Sequence, residues 1–158
     1  MGQFEKLTEY KNKILNNIIS NENLVKSLID NRKDYLNYNL PDGFDSTSLI
    51  YSQVFPYQHT LNAEKEMKTY ITMSFGKYNY VNNVFKSGIL YFYIFTNKLL
   101  IETDYGLRTD YILNEIDTMF NKNSDVGVFD LEIDSGGDFR INEDYLGTMI
   151  SYKFYDFQ

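Results

Sequence analysis

The first part of the chain alternates apolar and polar residues with the period of an α-helix. Residues 4–19 carry an apolar stripe made of Phe4, Leu7, Ile14, Leu15, Ile18 and Ile19. The polar residues 21–23 interrupt the pattern before apolar residues return at Leu24, Val25, Leu28 and Ile29. This spacing predicts a helix over 4–19, followed by a second, shorter helix or a bent continuation of the first.

A turn-rich stretch separates these helices from the rest of the chain. Residues 37–48 contain Pro41-Asp42-Gly43 and then a run of Asp, Ser and Thr residues, which are typical of turns. Residues 49–55 indicate a short extended segment. It should end at Pro56, because proline cannot donate a hydrogen bond to a neighbouring strand.

From Met67 onward the hydrophobic period changes to two. Mostly apolar residues alternate with more polar ones over 67–75, which is the pattern of a half-buried strand. A turn is predicted at 79–83, and residues 86–96 follow as a second strand that is apolar on both faces. Such a strand is expected in the middle of a sheet, covered above and below.

The remainder of the chain predicts one more helix and two more strands. Asp104 is placed to cap a helix through Phe120, whose inward residues are Leu107, Ile112, Leu113, Ile116, Met119 and Phe120. Alternating residues predict strands over 126–134 and 146–157. Between them we expect a polar loop, 135–144, which contains Gly136-Gly137 and should be mobile in a free subunit.

The order of these elements defines the fold class. Read in chain order they are α-α-β-β-β-α-β-β, with short connections between neighbouring strands. We therefore predict an α+β fold in which a mainly antiparallel sheet of four to five strands carries its helices on one face. Residues 1–158 are expected to form a single domain, with a helical segment at 3–36 and the sheet and third helix at 49–157.

Composition and charge narrow the range of functions. The chain is 43% hydrophobic and 23% charged, has 15 Tyr and 12 Phe but no Trp, and carries a net charge of −7, which disfavours a protein that grips a nucleic-acid backbone. The absence of Cys excludes disulfides, thiolate metal sites and cysteine nucleophiles. We also expect no membrane association, because the apolar runs are far shorter than a membrane span.

One pair of motifs has the form of a nuclease signature. Pro41-Asp42 is followed by Glu66-Met67-Lys68, as in Mg²⁺-dependent nucleases whose two carboxylates hold the metal while the lysine helps to activate water. An ordinary surface turn explains Pro41-Asp42-Gly43 better, and no basic patch is present to bind phosphate. A nuclease remains an alternative, and it requires Asp42, Glu66 and Lys68 to converge on one point.

Acidic residues gather near the end of the chain. Asp130, Glu132 and Asp134 alternate along a predicted strand, and Asp138, Glu143 and Asp144 follow in the predicted loop. Oxygen ligands of this kind bind Ca²⁺, but the spacing matches no EF-hand, and alternate carboxylates are typical of a solvated strand. We interpret Asp134, Asp138, Glu143 and Asp144 as a docking or channel-facing loop instead.

No other pattern in the chain indicates catalysis. His59 is the single histidine and has no Ser-Gly turn or second histidine near it, and there is no phosphate-binding loop or nucleophile elbow. We therefore predict a protein that is not an enzyme and that has no cofactor and no metal. A monomeric binding module with a concave pocket formed by the loop 37–63 is a further alternative.

The two-sided strand suggests where the protein contacts a partner. One face of this strand carries Tyr91, Tyr93 and Phe95, and the opposite face carries Leu90, Phe92 and Ile94. The predicted helices form about one layer, so they cover one face unless the N-terminal helices divide between both. Tyrosine hydroxyls can stay hydrated in a free subunit and find partners in an assembled one. We therefore predict a subunit contact at Tyr91, Tyr93 and Phe95.

The order of elements resembles that of the tail terminator proteins of long-tailed bacteriophages. Local stretches are also similar to neck proteins of phages of Gram-positive hosts, namely Val54-Phe55-Pro56-Tyr57, Lys68-Thr69-Tyr70-Ile71, Asp104-Tyr105-Gly106-Leu107-Arg108-Thr109-Asp110 and Glu115-Ile116-Asp117. The resemblance covers about residues 4–157, as architecture more than as identity. An additional helical segment at 22–36 and the long loop 37–48 depart from the simplest members of that family.

This resemblance implies a structural virion protein that assembles with itself into a six-membered ring. Such a ring ends the growth of the tail tube and joins the tail to the filled head, so its partners are the tail tube protein and the head-closure or connector proteins. DNA would pass through without specific binding, and an acidic wall would repel its phosphates. The implied location is the neck of the virion, assembled in the host cytoplasm. Because of the departures, another neck ring, the head-closure or tail-completion layer, is an alternative.

Overall fold

The fold packs three helices against a five-stranded sheet. The computed structural model describes residues 6–59, 66–121 and 131–155. In these residues the elements follow the predicted order α-α-β-β-β-α-β-β, with one additional pair of two-residue strands before the third helix. The α+β prediction is confirmed. The predicted helix start at 4–5 and the predicted strand residues 126–130 and 156–157 lie outside the described residues.

The N-terminal apolar stripe forms two separate helices rather than one bent helix. Helix α1 spans Leu7–Ser20 and helix α2 spans Glu22–Ile29. Asn21 separates them with extended backbone, and its side-chain oxygen accepts a hydrogen bond from the Leu24 amide at 3.1 Å. An Asn at this position satisfies an amide that has no partner within the helix, so it ends one helix and begins the next.

The main sheet contains strands from both halves of the chain. Its strands are β1 (Val54–Phe55), β2 (Thr69–Val81), β3 (Val84–Asn97), β6 (Glu132–Arg140) and β7 (Tyr145–Tyr155), in the spatial order β1-β2-β3-β7-β6. Among the described strands of this sheet, β1 pairs in parallel with β2, and the other neighbouring strands pair antiparallel. The predicted extended segment 49–55 is mostly wrong, because Ser46–Leu49 forms a 3-10 turn and only Val54 and Phe55 are strand.

The third helix begins later than predicted. Helix α3 spans Arg108–Phe120 and follows Leu107, so Asp104 is not its N-cap. Residues 102–107 instead form a small hairpin of β4 (Glu102–Thr103) and β5 (Gly106–Leu107). Gly106 has a φ of +90°, a conformation that glycine adopts without strain and that reverses the chain here.

The predicted polar loop 135–144 is largely a strand. Residues 135–140 belong to β6, and only 141–144 connect β6 to β7. Asp134 and Asp138 therefore lie in a strand, whereas Glu143 and Asp144 lie in the connection. An edge strand has one unpaired side in water, so it tolerates the glycines and carboxylates that suggested a loop. Six residues of this segment, 135–140, pair in register with β7, and its mobility in a free subunit stays a prediction.

All three helices cover the same face of the sheet. The main core joins helix residues such as Ile14, Leu24 and Ile116 to the predicted inner face of β3, which consists of Leu90, Phe92 and Ile94. Residues of the helices are absent from the second, smaller cluster of buried side chains. The alternative in which the N-terminal helices divide between both faces is therefore wrong, and the opposite face of the sheet has no helix over it among the described residues.

A buried arginine connects the ends of two helices. Arg108, the first residue of α3, is 1% exposed, and its guanidinium donates to the main-chain oxygens of Leu100, Ser27, Asp30 and Arg32 at 2.8–3.2 Å. Its Cζ lies 4.6 Å from the centre of the Tyr35 ring. Burial lowers the pKa of this guanidinium. Because the last carbonyls of a helix carry partial negative charge, a cation at this position stabilises the end of α2.

Candidate interaction surface

The face of the sheet opposite the three described helices holds the predicted contact residues. We call it the open face, and it includes Tyr91, Tyr93 and Phe95 of β3 with their register neighbours on β2 and β7. Tyr91 and Tyr93 are partly buried, and their rings stack with centres 6.2 Å apart. Phe95 is only 3% exposed, so it is an internal side chain of this subunit. Of the three predicted contact residues, the two tyrosines are the accessible ones.

Phe95 belongs to a small aromatic cluster at one end of the open face. It packs with Phe55, Tyr70 and Tyr145, all at most 5% exposed, and Tyr93 packs against this cluster. The Tyr145 hydroxyl donates to the main-chain oxygen of Glu66, and burial raises the pKa of that hydroxyl. The cluster therefore holds the chain before β2 against the first residue of β7 and makes this part of the open face rigid.

A shallow groove runs along the open face beside this cluster. It has a volume of about 290 Å³ and is lined by Gln58, His59, Thr72, Tyr93, Phe95, Phe139 and Ile141. The rings of Tyr93 and Phe139 form two of its sides, with their centres 5.8 Å apart and their planes nearly perpendicular. The lining is mainly apolar and has no carboxylate or lysine, so it suits an apolar side chain better than a charged ligand.

Gly147 creates the space that this groove needs. A Cβ at Gly147 would lie 2.5 Å from Cζ of Phe139 and 2.8 Å from the main-chain oxygen of Ile94. The Phe139 ring of β6 therefore lies directly over a glycine of β7, its register neighbour. Sequence reasoning missed Phe139 and Gly147. A glycine inside a strand was the available signal, because it often marks a close approach of a neighbouring group.

Replacing Gly147 by alanine is expected to destabilise the fold by about 1–3 kcal/mol, because the new methyl group meets backbone as well as the Phe139 ring. The measurement is urea unfolding followed by tyrosine fluorescence. Gly137→Ala is the matched control, because a Cβ at Gly137 meets nothing within 4 Å, and we expect a change within about 0.5 kcal/mol. Equal stability of the two variants would contradict this description of the groove.

The single histidine contributes to the wall of the groove. His59 stacks on Phe55 with ring centres 4.0 Å apart and planes 2° from parallel, and it also lies beside Tyr70. These neighbours are aromatic rings, and none of them is a nucleophile or a carboxylate that orients a catalytic imidazole. The residue closes one end of the aromatic surface.

The four acidic residues of the predicted docking loop occupy the far edge of the sheet. Asp134 accepts a hydrogen bond from the Ser151 hydroxyl at 3.1 Å, and Asp138 is exposed on β6. Glu143 and Asp144 follow in the connection to β7, and Asp144 lies 3.7 Å from the Lys98 ammonium group. Two of these residues therefore lie on β6 and two in the connection beside the end of β3, so they do not form one loop.

The residues of the nuclease signature have simpler surroundings. Glu66 and Lys68 pair with each other at 3.2 Å, and both side chains are nearly half exposed. Asp42 is exposed in the turn at 41–43. Within the described residues, no three His, Cys, Asp or Glu side chains are close enough together to hold a metal ion. Separately, none of the described helices has the length and apolar character to span a membrane.

Comparison with known proteins gave one match. A family model described as YomW matches residues 21–154, from the cap of α2 to the end of β7, and so includes the whole sheet and helix α3. No curated protein and no solved structure matches the chain. The matched region contains the open face, the groove and the acidic edge of the sheet.

Proposed function

Because this chain belongs to the YomW family, a family of phage-derived proteins, we propose that it is a structural protein of a tailed bacteriophage virion. In this proposal it forms a homo-hexameric ring at the head–tail junction. The ring ends the tail tube and joins it to the head, which is the role of a tail terminator. It assembles in the host cytoplasm and remains in the neck of the particle.

The open face is the single observation that carries this proposal. One side of the sheet is covered by α1, α2 and α3, whereas the other keeps partly buried tyrosines and an apolar groove over which the described part of the chain places no helix. Tyr and Phe are enriched at the centres of protein interfaces, and exposed apolar patches with polar rims mark such interfaces. The subunit is therefore suited to contact another protein through a rigid sheet.

A ring follows when each subunit uses two different surfaces. Contacts between unlike surfaces repeat from copy to copy, and they close at a fixed number when the rotation between neighbours allows it. One face of the ring would then bind the tail tube, while the other would present a different surface to the head-closure proteins. The net charge of −7 supports a channel through which DNA slides, since like charges repel phosphate.

The decisive experiment removes the protein from the phage that encodes it. We expect overlong or irregular tail tubes together with filled heads that lack tails, and rescue by the wild-type chain supplied from a plasmid. A ring of six times the 18.7 kDa subunit mass should be visible by native mass spectrometry or on tube ends by electron microscopy. Tyr93→Ala should rescue poorly, and Tyr51→Ala, at an exposed tyrosine away from the groove, is the matched control.

Two other outcomes would redirect the proposal. Tails of normal length beside heads that leak DNA would assign the protein to the head-closure or tail-completion layer. Mg²⁺-dependent cleavage of DNA by the purified chain, lost in Asp42→Ala with Lys68→Ala, would overturn the structural role and establish the nuclease.

A further inference from the structure

Charge is divided between two parts of this sheet. Residues 67–101, which contain β2 and β3, include four lysines and no acidic residue. Residues 131–144, which contain β6, include five acidic residues and a single arginine. The second region is strongly acidic. In the first, Lys68 and Lys98 pair with Glu66 and Asp144, so Lys77 and Lys86 are the lysines that make its hairpin end basic.

The basic region contains a hairpin with exposed apolar side chains. We call residues 77–86 the β2–β3 tip. It turns at Asn82 and Asn83, whose φ values of 53° and 63° suit a tight two-residue hairpin turn. Tyr80, Val81 and Val84 are 46%, 51% and 43% exposed, an unusual concentration for a short turn. The described pairing of β3 with β7 begins at Ser87, opposite Tyr155, the last described residue of β7.

A bulge lies at the base of this tip. The register between β2 and β3 shifts between Gly76 and Asn79, and Lys77 has a φ of 48°. An extra residue in one strand of a pair bends that strand and increases its twist. Lys77 is exposed at this bend. The tip therefore presents a positive charge together with its exposed apolar side chains.

The acidic region is an unpaired strand edge. Strand β6 is the last strand of the sheet and pairs only with β7 among the described residues. Its residues are exposed except Phe139, which is partly buried, and Ile133 is 53% exposed. Asp134 and Asp138 lie along it. A free edge of this length offers main-chain hydrogen bonds to another strand, and inward or flanking charges restrict which strand can bind.

We propose that the β2–β3 tip of one copy docks on the β6 edge of a second copy of this chain. The tip supplies lysines and exposed apolar side chains, and the edge supplies carboxylates, Ile133 and unpaired main-chain groups. Within one subunit β7 lies between β3 and β6, so the free side of β6 faces away from the tip of the same chain and is open to the tip of another copy. This contact joins unlike surfaces and repeats from copy to copy, which is the requirement for a ring.

This inference rests on the proposed ring and identifies one of its contacts. The experiment reverses the charge on each surface separately and follows self-association by sedimentation velocity in 50 mM salt. Lys77→Glu with Lys86→Glu makes the tip acidic, and Asp134→Lys with Asp138→Lys makes the edge basic. We expect each double variant to associate at least about 10-fold more weakly than the wild type, because like charges then face each other.

Mixing the two reversed variants gives the sharpest result. The acidic tip of the tip-reversed variant then meets the basic edge of the edge-reversed variant. The unchanged basic tip of the edge-reversed variant likewise meets the unchanged acidic edge of the tip-reversed variant. Both contacts are again between opposite charges, so assembly should return. Carrying all four changes in one chain should restore it too. The matched controls are Lys6→Glu with Lys33→Glu and Asp42→Lys with Glu102→Lys, which change net charge equally at exposed positions away from both surfaces. Circular dichroism checks that each variant is folded.

The failure of this contact and the failure of the proposed function give different results. Wild-type rings that are unaffected by the reversals would overturn the tip–edge contact and leave the ring in place. Reversed variants that weaken assembly but do not recover on mixing would overturn it as well. A wild-type chain that stays monomeric at about 1 mM in low salt would overturn the contact. The tail role would still be tested separately, by whether the wild-type chain rescues the phage from which the protein has been removed.

Discussion

Replacing Arg108 by methionine is expected to lower the free energy of unfolding by about 3–5 kcal/mol. Methionine fills much of the space of the arginine stem but donates no hydrogen bond. The main-chain oxygens of Leu100, Ser27, Asp30 and Arg32 would then lose the guanidinium that they share. Unpartnered buried acceptors cost about 1–3 kcal/mol each, and water reaches only some of these sites. Chemical denaturation measures the loss directly.

Arg32→Met is the matched control for this change. Arg32 is a neighbouring arginine, exposed, paired with Asp30 at 2.7 Å and placed over the Tyr38 ring at 3.3 Å. Its contacts are in solvent, so the same substitution should cost about 1 kcal/mol or less. Arg108→Lys should recover less than half of the stability that Arg108→Met loses, since an ammonium group cannot reach four oxygens arranged around a planar guanidinium. Similar losses at positions 32 and 108 would contradict the anchoring role of Arg108.

The sheet could be predicted from the sequence because its signals are local. Alternation over 67–75 and the continuous apolar run 89–95 identified β2 and β3, and the apolar face of Leu90, Phe92 and Ile94 is indeed the one beneath the helices. The predicted N-cap at Asp104 was wrong because a positive φ at Gly106 places a small hairpin before the helix in the chain. Chain-order patterns do not reveal such a reversal.

Strand β6 shows where composition misleads. The Gly-Gly pair and carboxylates of 135–138 suggested a loop, but main-chain pairing with β7 stabilises them as a strand without any apolar side chain. At the candidate surface, the sequence placed Tyr91 and Tyr93 on the correct face. It could not show Phe139 over Gly147, or Arg108 between two helix ends, since both depend on residues that are distant in the chain.

Truncating the two neighbouring aromatic residues Phe92 and Tyr93 should affect different properties: the first the stability of the isolated chain, the second mainly its self-association. Phe92 is fully buried, stacks on Phe120 with ring centres 5.3 Å apart and meets the edge of Tyr152 at 6.1 Å. Phe92→Ala removes the centre of the main core and should cost about 3–5 kcal/mol, which corresponds to roughly 10 °C in melting temperature for a chain of this size. Thermal unfolding of the isolated chain measures this loss.

Tyr93→Ala removes a ring of similar size from the open face. Tyr93 is only partly buried and packs on Tyr91 and Phe139 at the groove, so its loss should cost the isolated chain about 1 kcal/mol. The same change should weaken self-association, which analytical ultracentrifugation measures, because a contact that is buried in an assembly loses its central ring. Tyr93→Phe keeps the ring and separates the role of the hydroxyl. If Tyr93→Ala unfolds the isolated chain as severely as Phe92→Ala, both faces of β3 are internal core and the subunit contact lies elsewhere.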